Sequence, residues 1–169
     1  MNTPQVKLRA MEPEDLDELY AIENDPALWN AGQTNVPYSR YALHEYIAHA
    51  TADIYADRQV RLLAENSDGQ VVGIVDLVNF DPRHLRAEIG VVIKAPFRRQ
   101  GYATAALGEL ISYARNLLHL HQLYAIVDVD NIASKQLFCK LGFLSSAHLD
   151  QWLFDGEKYR NAIFMQFFL

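Results

Sequence analysis

The spacing of apolar and polar residues changes period several times along the chain, and each change marks an element. Val6 to Ala10 alternates in and out and reads as a first strand. Met11-Glu12-Pro13-Glu14-Asp15 then opens a helix, with proline and acidic side chains where the positive end of the helix dipole favours them. Leu16, Leu19, Tyr20 and Ile22 recur at helical spacing, and the helix gives out by Asn24-Asp25-Pro26. Residues 26 to 37 form a loop rich in Asn, Gly and Pro around Trp29, long enough to suggest a functional segment. A second helical region follows Ser39, with Tyr41, Leu43, Tyr46 and Ile47 as its expected buried face, and continues with a break towards Asp57.

The centre of the chain switches to strand character. Gln59 to Asn66 and Val71 to Phe80, joined by Ser67-Asp68-Gly69-Gln70, predict a hairpin, and Asp81-Pro82-Arg83-His84 turns the chain into a strand from Leu85 to Ile93. Leu107, Leu110, Ile111, Ala114 and Leu118 then mark one face of a long helix beyond Gly101. Leu123 to Val127 is a short buried strand, and Asn131-Ile132-Ala133-Ser134 starts a helix that must end by Gly142. Phe143 to Phe154 and Tyr159 to Leu169 read as two last strands around the turn Asp155-Gly156-Glu157-Lys158. With no repeat, linker or low-complexity stretch, the expectation is one α/β domain over residues 1–169 with a mixed, mostly antiparallel sheet and flanking helices.

The segment with most chemical content is Glu88 to Ala105, EIGVVIKAPFRRQGYATA. A β-branched strand ends at Lys94-Ala95-Pro96, and the loop Phe97 to Ala103 leads into the long helix. The first turn of a helix carries N–H groups with no internal acceptor, so this junction is a ready anion site. Gly101 and Ala103 let a diphosphate approach the backbone, and Arg98 and Arg99 add positive charge. The spacing fits neither a P-loop nor a three-glycine dinucleotide loop. The alternative is an ordinary tight turn carrying a surface basic pair.

Arg98-x-x-Gly101-x-Ala103, set between a strand and a helix, resembles the (Arg/Gln)-x-x-Gly-x-(Gly/Ala) signature of the GNAT superfamily of acyl-CoA-dependent N-acyltransferases. Asn131 to Phe143, NIASKQLFCKLGF, is similar to a second signature of that superfamily, and the element order is similar to its fold over nearly the whole chain. Segments such as Arg86-Ala87-Glu88 and Tyr159-Arg160-Asn161-Ala162 resemble the bacterial spermidine acetyltransferases within it, alongside the N-terminal acetyltransferases of ribosomal proteins. The acidic cluster of the polyamine enzymes is missing from Trp29 to Pro37.

The resemblance implies a sheet that splays between the strand of Gly90 to Ile93 and the strand of Leu123 to Val127. The gap would accept the pantetheine arm of acetyl-CoA on backbone groups of Val91, Val92 and Ile93. Amides of Arg98, Arg99, Gln100, Gly101, Tyr102 and Ala103 would hold the pyrophosphate, and Asn131 would reach the cofactor near its thioester end. Unpaired strand groups inside a protein need partners, so a splay fits a ligand. Pairing of the two strands along their full length would refute it.

The implied reaction is attack of a primary amine on the thioester, which requires a base. Glu88 matches the position of the base in several members of the superfamily; the alternative is a strand-edge carboxylate paired with Arg83 or Arg86. An oxyanion would rest on the N–H of Val91 or Val92. The tyrosine that usually protonates the departing thiolate is matched by Phe138, which has no proton to give. Thiolates leave tolerably near neutrality, and water or Ser134 is a candidate substitute.

Composition narrows the partners further. The net charge of −6 disfavours nucleic acid and would draw in a cationic amine. No stretch approaches the roughly 20 apolar residues of a membrane helix, and the first residues lack an apolar signal core, so the expectation is a cytoplasmic protein. Cys139 is the only cysteine, and the six histidines show no metal-ligand spacing, so no metal is expected. Trp29, Trp152, Tyr38 and Tyr159 are either core or the wall of an acceptor pocket. The leading expectation is an acetyl-CoA-dependent N-acetyltransferase acting on a polyamine such as spermidine, another small amine or a protein N-terminus, with a homo-oligomer as a candidate assembly. The rival is an acyl-CoA-binding sensor with little turnover.

Overall fold

A computed structural model describes residues 3–28 and 36–169. Of the loop expected over residues 26–37, residues 29–35, Trp29 included, lie outside the described residues, and Pro26–Leu28 form a short 3-10 turn.

A seven-stranded mixed sheet forms the middle layer, in the spatial order β1-β2-β3-β4-β5-β7-β6. Its strands are β1 (Lys7–Arg9), β2 (Val60–Glu65), β3 (Val71–Asp81), β4 (Arg86–Ile93), β5 (Gln122–Asp128), β6 (Leu144–Phe154) and β7 (Tyr159–Phe168). Every neighbouring pair is antiparallel except β4 and β5, which run parallel. Helices α1 (Leu16–Glu23) and α2 (Arg40–Ala48) are followed by the short α3 (Ile54–Asp57); α4 (Tyr102–Asn116) and α5 (Ile132–Lys140) come from the second half of the chain.

Strand alternation sends successive side chains to opposite faces, and two cores result. On one face Leu63, Val71 and Ile74 pack with Leu19 and Ile22 of α1 and Leu43 of α2, with Val92 against them. On the other face Val75, Ala87, Ile89, Leu123, Ala125 and Val127 pack with Leu107, Leu110, Ile111 and Ala114 of α4 and Phe138 of α5. The expected apolar face of α4 is thus buried as read, with Leu118 packed at its edge. The expected face of α2 needs one correction. Leu43 is 4% exposed but Tyr41 is 74% exposed. Two helical positions lie about 200° apart on a wheel of 3.6 residues per turn, so Tyr41 faces away from the side that Leu43, Tyr46 and Ile47 share.

Capping is local and follows the sequence. Ser39 Oγ accepts from Ala42 N–H at 3.0 Å, and Asn131 Oδ1 accepts from Ser134 N–H at 3.0 Å, each satisfying an orphan donor in the first turn of its helix. Gly142, at φ +95°, closes the end of α5 in the left-handed region. An internal ion-pair network ties the entry of the chain to the sheet: Arg9 makes a two-pronged contact with Asp15 at 2.7 and 2.9 Å and also bonds Glu65. No helix among the described residues is long and apolar enough to cross a membrane.

Candidate active site

β4 and β5 pair over three rungs only, Arg86 with Gln122, Ala87 with Leu123 and Glu88 with Tyr124. β5 stays paired with β7 along its whole length, and β4 stays paired with β3 as far as Ile93. From Ile89 onward the two central strands therefore part company, and one side of β4 is left without a strand partner.

Which backbone groups face that gap follows from the ladder. Lys94 N–H donates to Val72 O at 2.9 Å, and residues of an antiparallel pair alternate between bonding their neighbour and turning away from it. Counting back, Val92 and Gly90 bond into β3, opposite Ile74 and Asp76, while Ile93, Val91 and Ile89 turn their N–H and C=O groups towards the gap. A Cβ on Gly73 would collide with the Val92 carbonyl oxygen, as expected if that oxygen points at β3. Arg98 Nε donates to the Ile93 carbonyl at 2.9 Å, as expected if that oxygen points away from it. The expectation for Val92 is corrected accordingly: its amide is committed to the sheet, and Val91 is the residue whose N–H opens into the gap.

The loop at the wide end of the gap is shaped to offer N–H groups. A single helical turn over Ala95–Phe97 leads to Arg98, and α4 begins after Gly101. Arg99 at φ +61° and Gly101 at φ +89° lie on either side of Gln100, which is not in that region. Such alternation turns successive N–H groups towards one concavity. The Gly101 carbonyl accepts from Ala105 at 3.0 Å, so the amides of Tyr102, Ala103 and Thr104 belong to the first turn, which has no internal acceptors. Gln100 spends its side-chain amide on Pro96 O at 2.7 Å, which braces the loop. Arg99 and Gln100 are solvent-exposed. A Cβ on Gly101 would sit 3.0 Å from Pro4 Cδ, so the position is closed to larger residues by both space and conformation.

At the narrow end stands Glu88, half-buried, its side chain on the same face of the sheet as Tyr124. Burial pushes its carboxyl above the usual carboxylate range, and a hydrogen bond from Asn79 Nδ2 at 2.9 Å pulls part of the way back. The competing expectation, a carboxylate paired with Arg83 or Arg86, fails on geometry. Arg86 pairs with Asp81 at 3.1 Å. Among the described residues no cation lies within ion-pair distance of Glu88. Burial and the neighbouring Glu88 charge raise the Tyr124 hydroxyl, whose ring stacks on Phe164 at 5.0 Å. A cavity of about 340 Å³ lies over these paired rungs, lined by Arg86, Gln122, Tyr124, Ile126, Phe164 and Gln166.

The remaining expected residues divide. Asn131 is exposed, its side-chain oxygen caps α5, and its Nδ2 is left for another acceptor. Phe138 is 6% exposed and packs edge-on against Phe143 at 5.0 Å, so it serves the core. Trp152, Tyr38 and Tyr159 are exposed and do not line the cavity beside Glu88. Among the described residues no cluster of His, Cys, Asp and Glu could hold a metal ion. The sequence reading missed Asn79. Its signal was a residue poorly suited to strands inside the apolar run Val71 to Phe80, where β3 is bulged between Val78 and Asp81.

Residues 5–144 match the acetyltransferase (GNAT) domain family. The chain belongs to the GNAT acetyltransferases. It is 33% identical to the spermidine N(1)-acetyltransferase of Escherichia coli K12, over 96% of this chain and 86% of that protein. Among solved structures it is similar to a spermidine N-acetyltransferase from Vibrio cholerae in complex with CoA and spermine, with 25% identity and a TM-score of 0.85 over 97% of this chain and 95% of that one. A dodecameric structure of the Vibrio cholerae enzyme in an intermediate state matches at 26% identity and TM-score 0.82, over 97% and 94%. This GNAT protein is an N-acetyltransferase that uses acetyl-CoA. A non-catalytic acyl-CoA sensor is not favoured by these relatives.

Proposed function

We propose that residues 1–169 act as one catalytic domain that acetylates the primary amine of a polyamine such as spermidine, in the cytoplasm. The observation that carries the reading is the parting of β4 from β5 immediately beyond Glu88, which puts a base candidate at the closed end of a gap and an amide-rich loop at the open end. The choice of polyamine rests on the spermidine acetyltransferases among the relatives and agrees with a net charge of −6.

Bound acetyl-CoA supplies an acetyl group activated as a thioester. Around it, Val91 and Ile93 offer gap-facing backbone groups, with Arg98 bracing the Ile93 carbonyl. The Arg98 N–H is committed to the Ala95 carbonyl at 3.3 Å, which corrects its expected place among the free amides; those of Arg99, Gln100, Gly101, Tyr102 and Ala103 receive the diphosphate, and Asn131 Nδ2 offers one more donor. Glu88 takes the proton from the acceptor ammonium, directly or through water. A carboxylate raised by burial is a better base near neutral pH than an exposed one. The Val91 N–H is the donor that would meet the negative charge growing on the carbonyl oxygen during attack. Water or Ser134 returns a proton to the thiolate, since Phe138 has none to give.

Leu144, Trp152 and Phe154 on β6 and Tyr159 and Phe168 on β7 are large apolar side chains left exposed at one edge of the sheet. Together with the dodecameric relative they support a homo-oligomer in solution.

The test is thiol release from acetyl-CoA across spermidine, spermine, free amino acids and peptides with N-terminal Ala or Ser. Polyamine-dependent release at the highest kcat/KM supports the reading. Release with peptides or amino acids but none with polyamines overturns the choice of acceptor.

A further inference from the structure

The bulge in β3 puts one residue where regular pairing would not. Val78 pairs with Glu88 and Asp81 with Arg86, so Asn79 and Phe80 are squeezed opposite Ala87. Phe80 turns inward and meets Tyr55 edge-on at 5.1 Å, while its N–H donates to Arg58 O at 3.2 Å. Asn79 takes up the strain at φ +52°. Its exposed side chain swings back across the strand, and Nδ2 donates to Glu88 Oε2 at 2.9 Å.

Few residues suit such a position. Gly, Asn and Asp tolerate the left-handed region best. Gly would keep the backbone and supply no donor. Asp would set a second negative charge against Glu88. Asn alone of the three keeps the bulge and offers N–H to a carboxylate.

We propose that Asn79 is a positioning residue for Glu88, holding its carboxylate through Oε2 so that Oε1 is left free to take the proton of the acceptor amine. This rests on the reading of Glu88 as the base. The other groups facing Glu88 do not do the same work. Arg86 is occupied by Asp81, and Asp76 is occupied by Arg61 at 2.6 Å. Tyr124 across the last rung has its hydroxyl pushed up by burial first, then by Glu88 itself. The bulge therefore serves the site, as strained backbone at functional positions commonly does.

The test compares Asn79→Gly, Asn79→Asp and Glu88→Gln by the pH profile of kcat/KM and by carboxyl carbon NMR of selectively labelled Glu88 in the protein without cofactor. Asn79→Gly should fold as well as the parent, since Gly adopts the same backbone. Its Glu88 titration and the acidic limb of its pH profile should both move to higher pH, and kcat should fall roughly tenfold with little change in the KM for acetyl-CoA. Asn79→Asp should move the limb further in the same direction. If Glu88→Gln abolishes turnover while Asn79→Gly leaves both titrations where they were, the proposal for Asn79 is overturned and the base stands. If Glu88→Gln retains full turnover, the base reading itself fails, and the proposal fails with it.

Discussion

Glu88 and Tyr124 form the last rung that joins β4 to β5, and no strand pairing exists between them beyond it. A parallel pair that stops after three rungs leaves backbone donors and acceptors inside the molecule without strand partners, and such groups bind something or cost stability. In the proposed mechanism the position of this rung decides where the acceptor chemistry sits, because Glu88 is both the end of the pairing and the start of the gap.

Glu88→Gln separates chemistry from binding. Turnover with the preferred amine should fall by roughly 10²–10⁴, while the affinity for CoA, measured by calorimetry, stays as in the parent. Folding should respond in the opposite sense. A carboxyl raised on folding contributes most stability below its unfolded pKa and loses it as pH rises through the folded value, whereas Gln does not titrate. Thermal melts of the variant should therefore gain on the parent from acid to neutral pH. A constant difference across that range would remove burial as the cause of the shift.

Gly101→Ala tests the diphosphate loop. The residue sits at φ +89°, where a Cβ costs about 1–2 kcal/mol, and the new methyl would press on Pro4. CoA affinity should weaken by roughly tenfold, and pantetheine analogues that lack the diphosphate should bind parent and variant alike. Equal loss for those analogues would move the diphosphate elsewhere.

Asp15 is one acid-sensitive point of the fold. Its side chain is buried, and Arg9 first, with the Glu12 N–H, holds its carboxyl below the usual range. Its contribution is present above its unfolded value and is lost as pH falls through the lower, folded one. Asp15→Asn should cost about 1–3 kcal/mol in urea unfolding at neutral pH, and the difference should shrink on acidification below about pH 4. A difference independent of pH would mean that the charge of Asp15 is irrelevant.

Much of this architecture was readable from residue order. The strand, loop and helix around Gly101 were visible because β-branched runs, a proline stop and helical spacing follow one another within 30 residues, and each is a local signal. The Asn131 cap was visible for the same reason. The orientation of Val92 was not, since the outward or inward turn of an amide depends on the register with β3, a non-local fact that the bond from Lys94 to Val72 reveals. Nor was the place of β7 between β5 and β6, because sequence order does not say which strand of a terminal hairpin lies inside. Tyr41 was misplaced because an aromatic ring suits a core, although its position on the wheel opposes Leu43. Asn79 shows only as an awkward residue in a strand until the bulge brings it to Glu88.

Amide hydrogen exchange resolved by residue, with and without CoA, tests the gap most directly. The account predicts that Gly90 and Val92 are protected in the free protein by β3, that Val91 and Ile93 exchange faster, and that CoA slows Val91, Ile93 and the amides from Arg99 to Thr104. Protection of Val91 and Ile93 already equal to that of Val92 in the free protein, with no further slowing on adding CoA, would contradict it.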